Sequence, residues 1–489
     1  MKQLKRALTL YPTTAIVIGA VIGSGIFVVP VSMADILGSA SLMMLVWVVA
    51  GVITLFGALT QCELVGQMPR TGGLYEYLRE IYGDVIGFHY GWANFMIAGS
   101  GAIAAIALIF SQYLGEFVHL PVLFGNLAAM PVHIPFLGDI SPFDQFSEKL
   151  IAGGLVLLLT YINVRGVKIA ASMQSISTST KVLALLGICF VAFIVGSNIG
   201  SVSHWTGVTP KGSALSSWTL LGAIATAITK AFWAYDGWGN VSYIGGEVQE
   251  PQKTLPKAII LGTLIFTGLY ILLNLAYLYI LPIDVIAAIP KERVASAVVT
   301  AVLGSGGGAV VAILIMISTF DTTNSGVLTN ARVYYAMAKD KLFLRSAGTV
   351  HEKYQTPSIA LWLQGFWALA LLFTGSFNLL LDMYIFVNWA LYVLMALGVF
   401  VLRRREPNRE RTFKVPGYPY VPAIFVLFAT SYVVITLIKD IDGYNSGTQP
   451  IISSLAGVLL VLTGVPFYFF WKNKQRVELL DNKENGSSN

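Results

Sequence analysis

The sequence predicts an all-α polytopic membrane protein of twelve transmembrane helices, and three observations predict it. Charged residues make up 11% of the 489 and hydrophobic ones 56%. A soluble globular chain carries about 25% charged residues, so most of this surface cannot face water. The apolar residues form long continuous runs rich in Leu, Ala, Ile and Gly. They are not the alternating ten-residue segments of a membrane β-barrel, and a helix satisfies its own backbone in lipid. Two of the runs carry glycines at their midpoints, in matching places.

A crossing needs roughly 20 apolar residues. Spans 1 to 12 are marked at about 12–37, 41–65, 85–115, 150–164, 174–196, 218–245, 257–281, 305–330, 357–375, 378–402, 419–438 and 450–471. Lys2, Lys5 and Arg6 before span 1, with Ser32-Met33-Ala34 inside it, outline a signal peptide only faintly. The apolar run outlasts the roughly 7–15 residues of such a region, so span 1 is read as retained. Cys62 and Cys189 both sit inside apolar runs. They read as small core residues rather than disulfide or metal positions.

Lysine and arginine set the expected orientation. With the N-terminus inside, 12 Lys and 12 Arg fall on the inner side, Arg403, Arg404, Arg405, Arg409, Arg411 and Lys414 among them. Lys149, Lys211, Lys291, Arg293 and Lys439 fall outside, and Lys181 and Lys230 within spans. Both ends are therefore expected in the cytoplasm, with the chain in a plasma membrane of the bacterial inner type. The net charge of +6 is a topology signal, which excludes a nucleic-acid partner.

The expected organisation follows: an N-terminal segment 1–11, a five-helix repeat 12–196, a second, inverted repeat 218–402, a basic loop 403–418 and peripheral helices 419–471. The polar tail 472–489 is expected to be disordered. The longest outer loop, 116–149, holds Pro121, Pro131, Pro135 and Pro142, and the amphipathic stretch 282–304 is expected along the membrane surface.

Span 1 is interrupted at Ile22-Gly23-Ser24-Gly25-Ile26 and span 6 at Tyr235-Asp236-Gly237-Trp238-Gly239. Glycine lets the backbone leave the helix. A matched pair of such breaks in two halves points to a transport site at a repeat interface. Half-helix N-termini offer N–H groups to a carboxylate, and unwound carbonyls accept from an ammonium; together they suit a zwitterion. Close packing of small residues is the other reading of either break alone.

Ionisable groups within spans mark functional candidates. Lys181 can bond backbone bared by the break in span 1, taking the place of a sodium ion, or snorkel to the inner face. A buried pairing with Asp321 of span 8 is open as well. Lys181→Ala is expected to impair transport while leaving folding largely intact. Asn324 is a further span-8 candidate. Lys230 reads as snorkelling, Glu63 as structural, and Asp236 as acting through its backbone carbonyl. Phe232 and Trp233 precede the second break, where an aromatic can close over a ligand.

These segments resemble the amino acid–polyamine–organocation superfamily, in its L-type amino acid transporter branch with bacterial relatives. The resemblance covers roughly 8–425. It rests on Gly23-Ser24-Gly25-Ile26-Phe27, Pro69-Arg70-Thr71-Gly72-Gly73-Leu74-Tyr75, the stretch from Gln174 to Leu183, and Phe232-Trp233-Ala234-Tyr235-Asp236-Gly237-Trp238. Glu247, Pro251, Leu255-Pro256-Lys257, Asn388-Trp389 and Phe413-Lys414-Val415-Pro416-Gly417-Tyr418-Pro419 continue it in order. The resemblance implies a 5+5 inverted repeat with discontinuous helices 1 and 6, two peripheral helices, and alternating access. It implies amides of Ser24, Gly25 and Ile26 on the substrate carboxylate and carbonyls of Val21, Trp233 and Asp236 on the ammonium. Ile22, Gly23, Ala234 and Gly237 complete the expected site, with Trp233 as gate and Lys181 as the lysine of sodium-independent transport. The animal members' outer-loop cysteine is lacking, so no disulfide-linked heavy chain is expected. Asp321 stands where glycine is common.

The expected function is sodium-independent exchange of neutral amino acids, with no cofactor. Proton-coupled symport and exchange of basic amino acids or polyamines remain as alternatives. A non-transporting membrane receptor would be expected to carry a soluble output domain, which the short tail does not offer. His89, His119, His133, His204 and His351 are scattered, giving no enzyme-like cluster.

Overall fold

A computed structural model describes residues 4–125, 132–134, 138–140, 142–289, 293–374, 377–447, 449 and 451–486. Lys2, Pro131, Pro135, Lys291 and residues 487–489, which entered the sequence reading, lie outside them. Among the described residues ten helices are long and apolar enough to cross a membrane: Leu10–Leu37, Ala40–Gln67, Asp84–Leu114, Phe146–Val164, Val167–Asn198, Pro251–Ile280, Gly307–Lys339, Met383–Arg405, Tyr420–Asn445 and Ser453–Val477. The shorter helices Ser217–Ala234 and Ser358–Thr374 supply spans 6 and 9. Among the described residues the only strands are the ribbon Val132–Ile134 with Gly138–Ile140, in the loop after span 3.

Five crossings per half is an odd number, so span 6 enters from the face opposite to span 1 and the second half is inverted. Positional counterparts pack together, span 2 on span 7 and span 3 on span 8, and span 1 packs against spans 5, 7 and 8. Span 1 is the most enclosed, with 83% of its apolar window buried, against 22% for span 11 and 28% for span 12. The broken helix thus lies at the centre and the last two spans at the rim.

Both expected breaks are present. Span 1 is two helices, Leu10–Val21 and Gly25–Leu37. Span 6 ends its α-helix at Ala234, turns through residues 235–239, and continues only as the 3-10 turns Asn240–Tyr243 and Gly245–Glu247. Glycines 239, 245 and 246 make that stretch a poor helix, and Gln61 of span 2 captures it by donating to Gly239 O and Ser242 Oγ. Two glycines are required here. Gly237 has φ +105°, and a Cβ on it would stand 3.0 Å from Ala20 O. A Cβ on Gly25 would stand 2.9 Å from Ala234 Cα, because the two broken helices touch there.

Buried charge pairs fasten the face that carries both chain ends. Glu63 takes Arg403 at 2.8 and 2.6 Å and the amide of Val415, tying spans 2 and 10 to the basic loop. Arg332 and Glu247, both fully buried, form a two-bond pair at 3.0 Å between span 8 and the end of span 6.

Two expectations are corrected. The segment 282–304 packs into the bundle: Ile283–Ala287 lies against the second half of span 1, Val294–Leu303 lies against span 8, and Ile286, Val294 and Val298 are buried. Its buried residues pack on protein, while Val285 and Leu303 stay exposed. The tail is helical to Gly486, because Lys472 pairs with Asp84 at 2.6 Å and Gln475 donates to Asp340 O. Cys62 and Cys189 are buried free thiols.

Candidate functional site

The two breaks face one hollow, walled by spans 1, 3, 6, 8 and 10. With its open mouth it encloses about 970 Å³. Val21, Gly23, Ser24, Gly25, Trp233, Ala234, Asp236 and Gly237, all expected in the site, line it. Ile22 and Ile26 do not; their side chains are buried in the core.

The break in span 1 presents a helix start. Gly25 is the first residue of its helix, and such a residue and its neighbours have N–H groups with no intrahelical acceptor. Phe27 N is taken by Ser24 O at 3.0 Å. Among the described hydrogen bonds none uses the amides of Ser24, Gly25 or Ile26. Their N–H groups and the positive end of the dipole suit a carboxylate. The carbonyl side is less open. Val21 O already accepts Gly23 N at 2.8 Å and the Tyr270 hydroxyl at 3.1 Å, which fills both its lone pairs. Tyr270 also reaches Ala234 O at 3.2 Å, so one hydroxyl braces both breaks. Trp233 O carries Asp236 N at 3.3 Å, while Asp236 O has no partner among the described bonds.

Lys181 does not snorkel. It is 2% exposed and donates to Gly19 O at 3.2 Å and Ile22 O at 2.6 Å. Its Nζ also stands 2.6 Å from Asp321 Oδ2. Both readings left open by the sequence hold at once: the ammonium caps bared carbonyls and pairs with Asp321. Thr178 donates to the same carboxylate oxygen at 2.9 Å, and Ser318 and Thr322 donate to Ile22 O.

Asp321 and Asn324 do not line the hollow, contrary to expectation. They share the helix face toward spans 4 and 5, where Asn324 bonds Gln174 at 2.6 Å and Asn163 at 2.9 Å. The hollow's span-8 wall is Thr322, Gly326 and Asn330. Positions four apart stack on one face, and the face is the adjacent one. Asp236, expected to act through its carbonyl, also brings its carboxylate to the hollow. Tyr384 Oη donates to it at 2.5 Å, Tyr392 Oη at 3.1 Å and Asn388 Nδ2 at 3.3 Å. Among the described residues no cation pairs with it. The spacing of those three donors, each four residues apart on span 10, is the sequence signal that finds them.

Trp233 borders the hollow, whereas Phe232 is fully buried and packs on Trp389 at 4.3 Å. Lys230 is exposed. Asn94, Asn240 and Tyr243 add polar wall that sequence reasoning missed. Asn94 opens the π-helical turn Asn94–Ala98 of span 3 and donates to Asn330 at 3.2 Å. Tyr90 and Tyr243 join at 2.5 Å. Together with the Arg332–Glu247 pair, these bonds close the hollow toward the chain-end face. Among the described residues no three His, Cys, Asp or Glu stand together as metal ligands.

Residues 8–463 match the model of the family described as amino acid permease. The serine/threonine exchanger SteT of Bacillus subtilis (strain 168) is 32% identical over 474 residues, 96% of this chain and 98% of that one. The large neutral amino acids transporter small subunit 2 of Mus musculus is 30% identical, covering 97% of this chain and 83% of its own. The b(0,+)-type amino acid transporter 1 of Mus musculus is 27% identical, covering 96% and 88%.

Proposed function

The chain belongs to the amino acid permease family of the amino acid–polyamine–organocation superfamily, and from that premise we propose sodium-independent exchange of neutral L-amino acids by alternating access. It is an amino acid transporter, not an enzyme. The observation that carries the finer reading is the pair of breaks on one hollow, with unused amides at Ser24, Gly25 and Ile26 in one break and an unused Asp236 carbonyl in the other. In the proposal the amides hold the substrate carboxylate, while Asp236 O and Trp233 O receive the ammonium. Trp233 swings over the bound substrate.

Lys181 favours exchange over cation coupling. Its ammonium occupies the gap between span 1 and span 8 that a bound cation would bridge, and a carboxylate holds it there. A group so well paired is a poor carrier of protons through a cycle. The lysine and arginine asymmetry supports cytoplasmic chain ends in a bacterial inner membrane. A second reading, exchange of basic amino acids, is favoured by one observation: the Asp236 carboxylate borders the hollow with neutral donors only.

Proteoliposomes test this directly. Serine, threonine and large neutral amino acids, taken from the relatives' names, are the first substrates. Preloading the vesicles is expected to accelerate uptake several-fold, with no response to sodium. Uptake into empty vesicles driven by a pH gradient would overturn exchange in favour of symport. Gly25→Leu is expected to abolish transport and binding at the breaks, since even its Cβ meets Ala234; undiminished transport would remove span 1 from the site.

A further inference from the structure

A second hollow lies between the central one and the face opposite the chain ends. It encloses about 920 Å³, mouth included, and shares Ser24 and Ile109 with the central hollow as common walls. It therefore lies beside a route between that face and the breaks. Its charged lining residues are Glu116, just past the end of span 3, and Arg293, just before the helix Val294–Leu303. They pair with each other at 2.5 Å, and the Arg293 guanidinium stands 5.6 Å from the Tyr113 ring centre. Gln112, another wall residue, is steadied by Gln145 at 2.8 Å.

We infer that this hollow is a second amino-acid site on the transport path, where Arg293 takes the carboxylate and Glu116 the ammonium of a zwitterion. The inference rests on the transport reading above but not on the central site's details. The two side chains bear the complementary charges of a zwitterion, on one wall of a space large enough for it. Their mutual bond is cheap to open: the side chains are 40% and 30% exposed, and pairs open to solvent contribute little to stability. An entering amino acid exchanges one such pair for two. The guanidinium offers a planar fork that matches a carboxylate in two-bond geometry. From there the carboxylate has a short step past Ser24 to the free amides of span 1. The site acts as a waystation that raises substrate concentration beside the breaks.

Binding stoichiometry tests the inference. The purified full chain in lipid nanodiscs is titrated to saturation with radiolabelled L-serine and, separately, L-leucine. Wild type is expected to hold two equivalents of a transported substrate, Arg293→Gln one, and Gly25→Leu one, the last now at the distal hollow. Arg293→Lys, which keeps the charge, is expected to retain two with weaker distal binding. In transport, Arg293→Gln is expected to raise KM several-fold with kcat little changed, whereas a merely structural pair would leave the binding count unaltered. One equivalent in wild type, or two in Arg293→Gln, overturns the distal site and leaves the transport reading intact. No binding of either probe by wild type overturns the neutral-amino-acid reading and this inference with it.

Discussion

Two carboxylates approach the broken middle of this protein from opposite sides, and they are treated differently. Asp321 meets an ammonium at 2.6 Å and a threonine hydroxyl at 2.9 Å, wholly inside the packing of spans 1, 5 and 8. Asp236 meets two tyrosine hydroxyls and an amide along one face of span 10, and it borders the hollow. The first charge is cancelled within the protein, so it can only build structure. The second is held in place but left uncancelled, so it can act on whatever enters. Burial alone does not separate a structural charge from a functional one; the charge of the partner does.

The largest test of that contrast breaks the cancelled pair. Removing one partner of a buried pair leaves a stranded charge, which costs about 3–5 kcal/mol. Lys181→Met or Asp321→Leu alone is therefore expected to lower thermal stability severely, which revises the expectation that Lys181→Ala leaves folding intact. The double variant Lys181→Met with Asp321→Leu strands nothing and is expected to recover most of the melting temperature, but not transport, because the carbonyls of Gly19 and Ile22 lose their cap. Single variants as stable as wild type would show that the pair does not bear on folding.

A smaller effect is expected on the other side. Asp236→Asn preserves shape and keeps an acceptor for the span-10 donors, so melting should move little. Substrate choice should move instead. If the open carboxylate attracts basic side chains, the ratio of arginine to leucine uptake in competition assays falls about tenfold, equivalent to about 1.4 kcal/mol. An unchanged ratio would leave Asp236 a positioning group for the break and remove the basic-substrate reading.

Much of this was legible in the sequence, for identifiable reasons. Spans were readable because lipid demands continuous apolar runs, and the breaks because Gly25 and Gly237 stand where a Cβ is excluded. Lys181 was readable because a charge in such a run has few innocent explanations. Partners across the chain were not. The facing of span 8 depends on how it rotates against span 5, which shifts the lining from Asp321 and Asn324 to Thr322 and Asn330. Asn94 was hidden because a π-helical turn changes the helical phase at that point. The tail's helix depends on Asp84 and Asp340, far away in sequence.

A third carboxylate, at the membrane edge, sharpens the comparison because it titrates within reach of experiment. Glu76 lies in the short helix Leu74–Tyr82 between spans 2 and 3. Its side chain is 13% exposed, 4.0 Å from Arg70. Burial first, and then the nearby Asp340 carboxylate, push its pKa up to about 7, with Arg79 and Arg70 opposing. Unlike Asp236 it has cations near it, yet burial still prevails. A carboxyl raised in this way holds its proton more tightly folded than unfolded. Its favourable contribution is complete below the unfolded value near 4.5 and is lost as pH rises through about 7. Glu76→Gln keeps the neutral shape at every pH. The variant is therefore expected to match wild type near pH 4.5 and to exceed it at pH 8 by on the order of 1–3 kcal/mol, read as a higher melting temperature. A variant less stable than wild type at pH 8 would mean that the arginines hold Glu76 ionised.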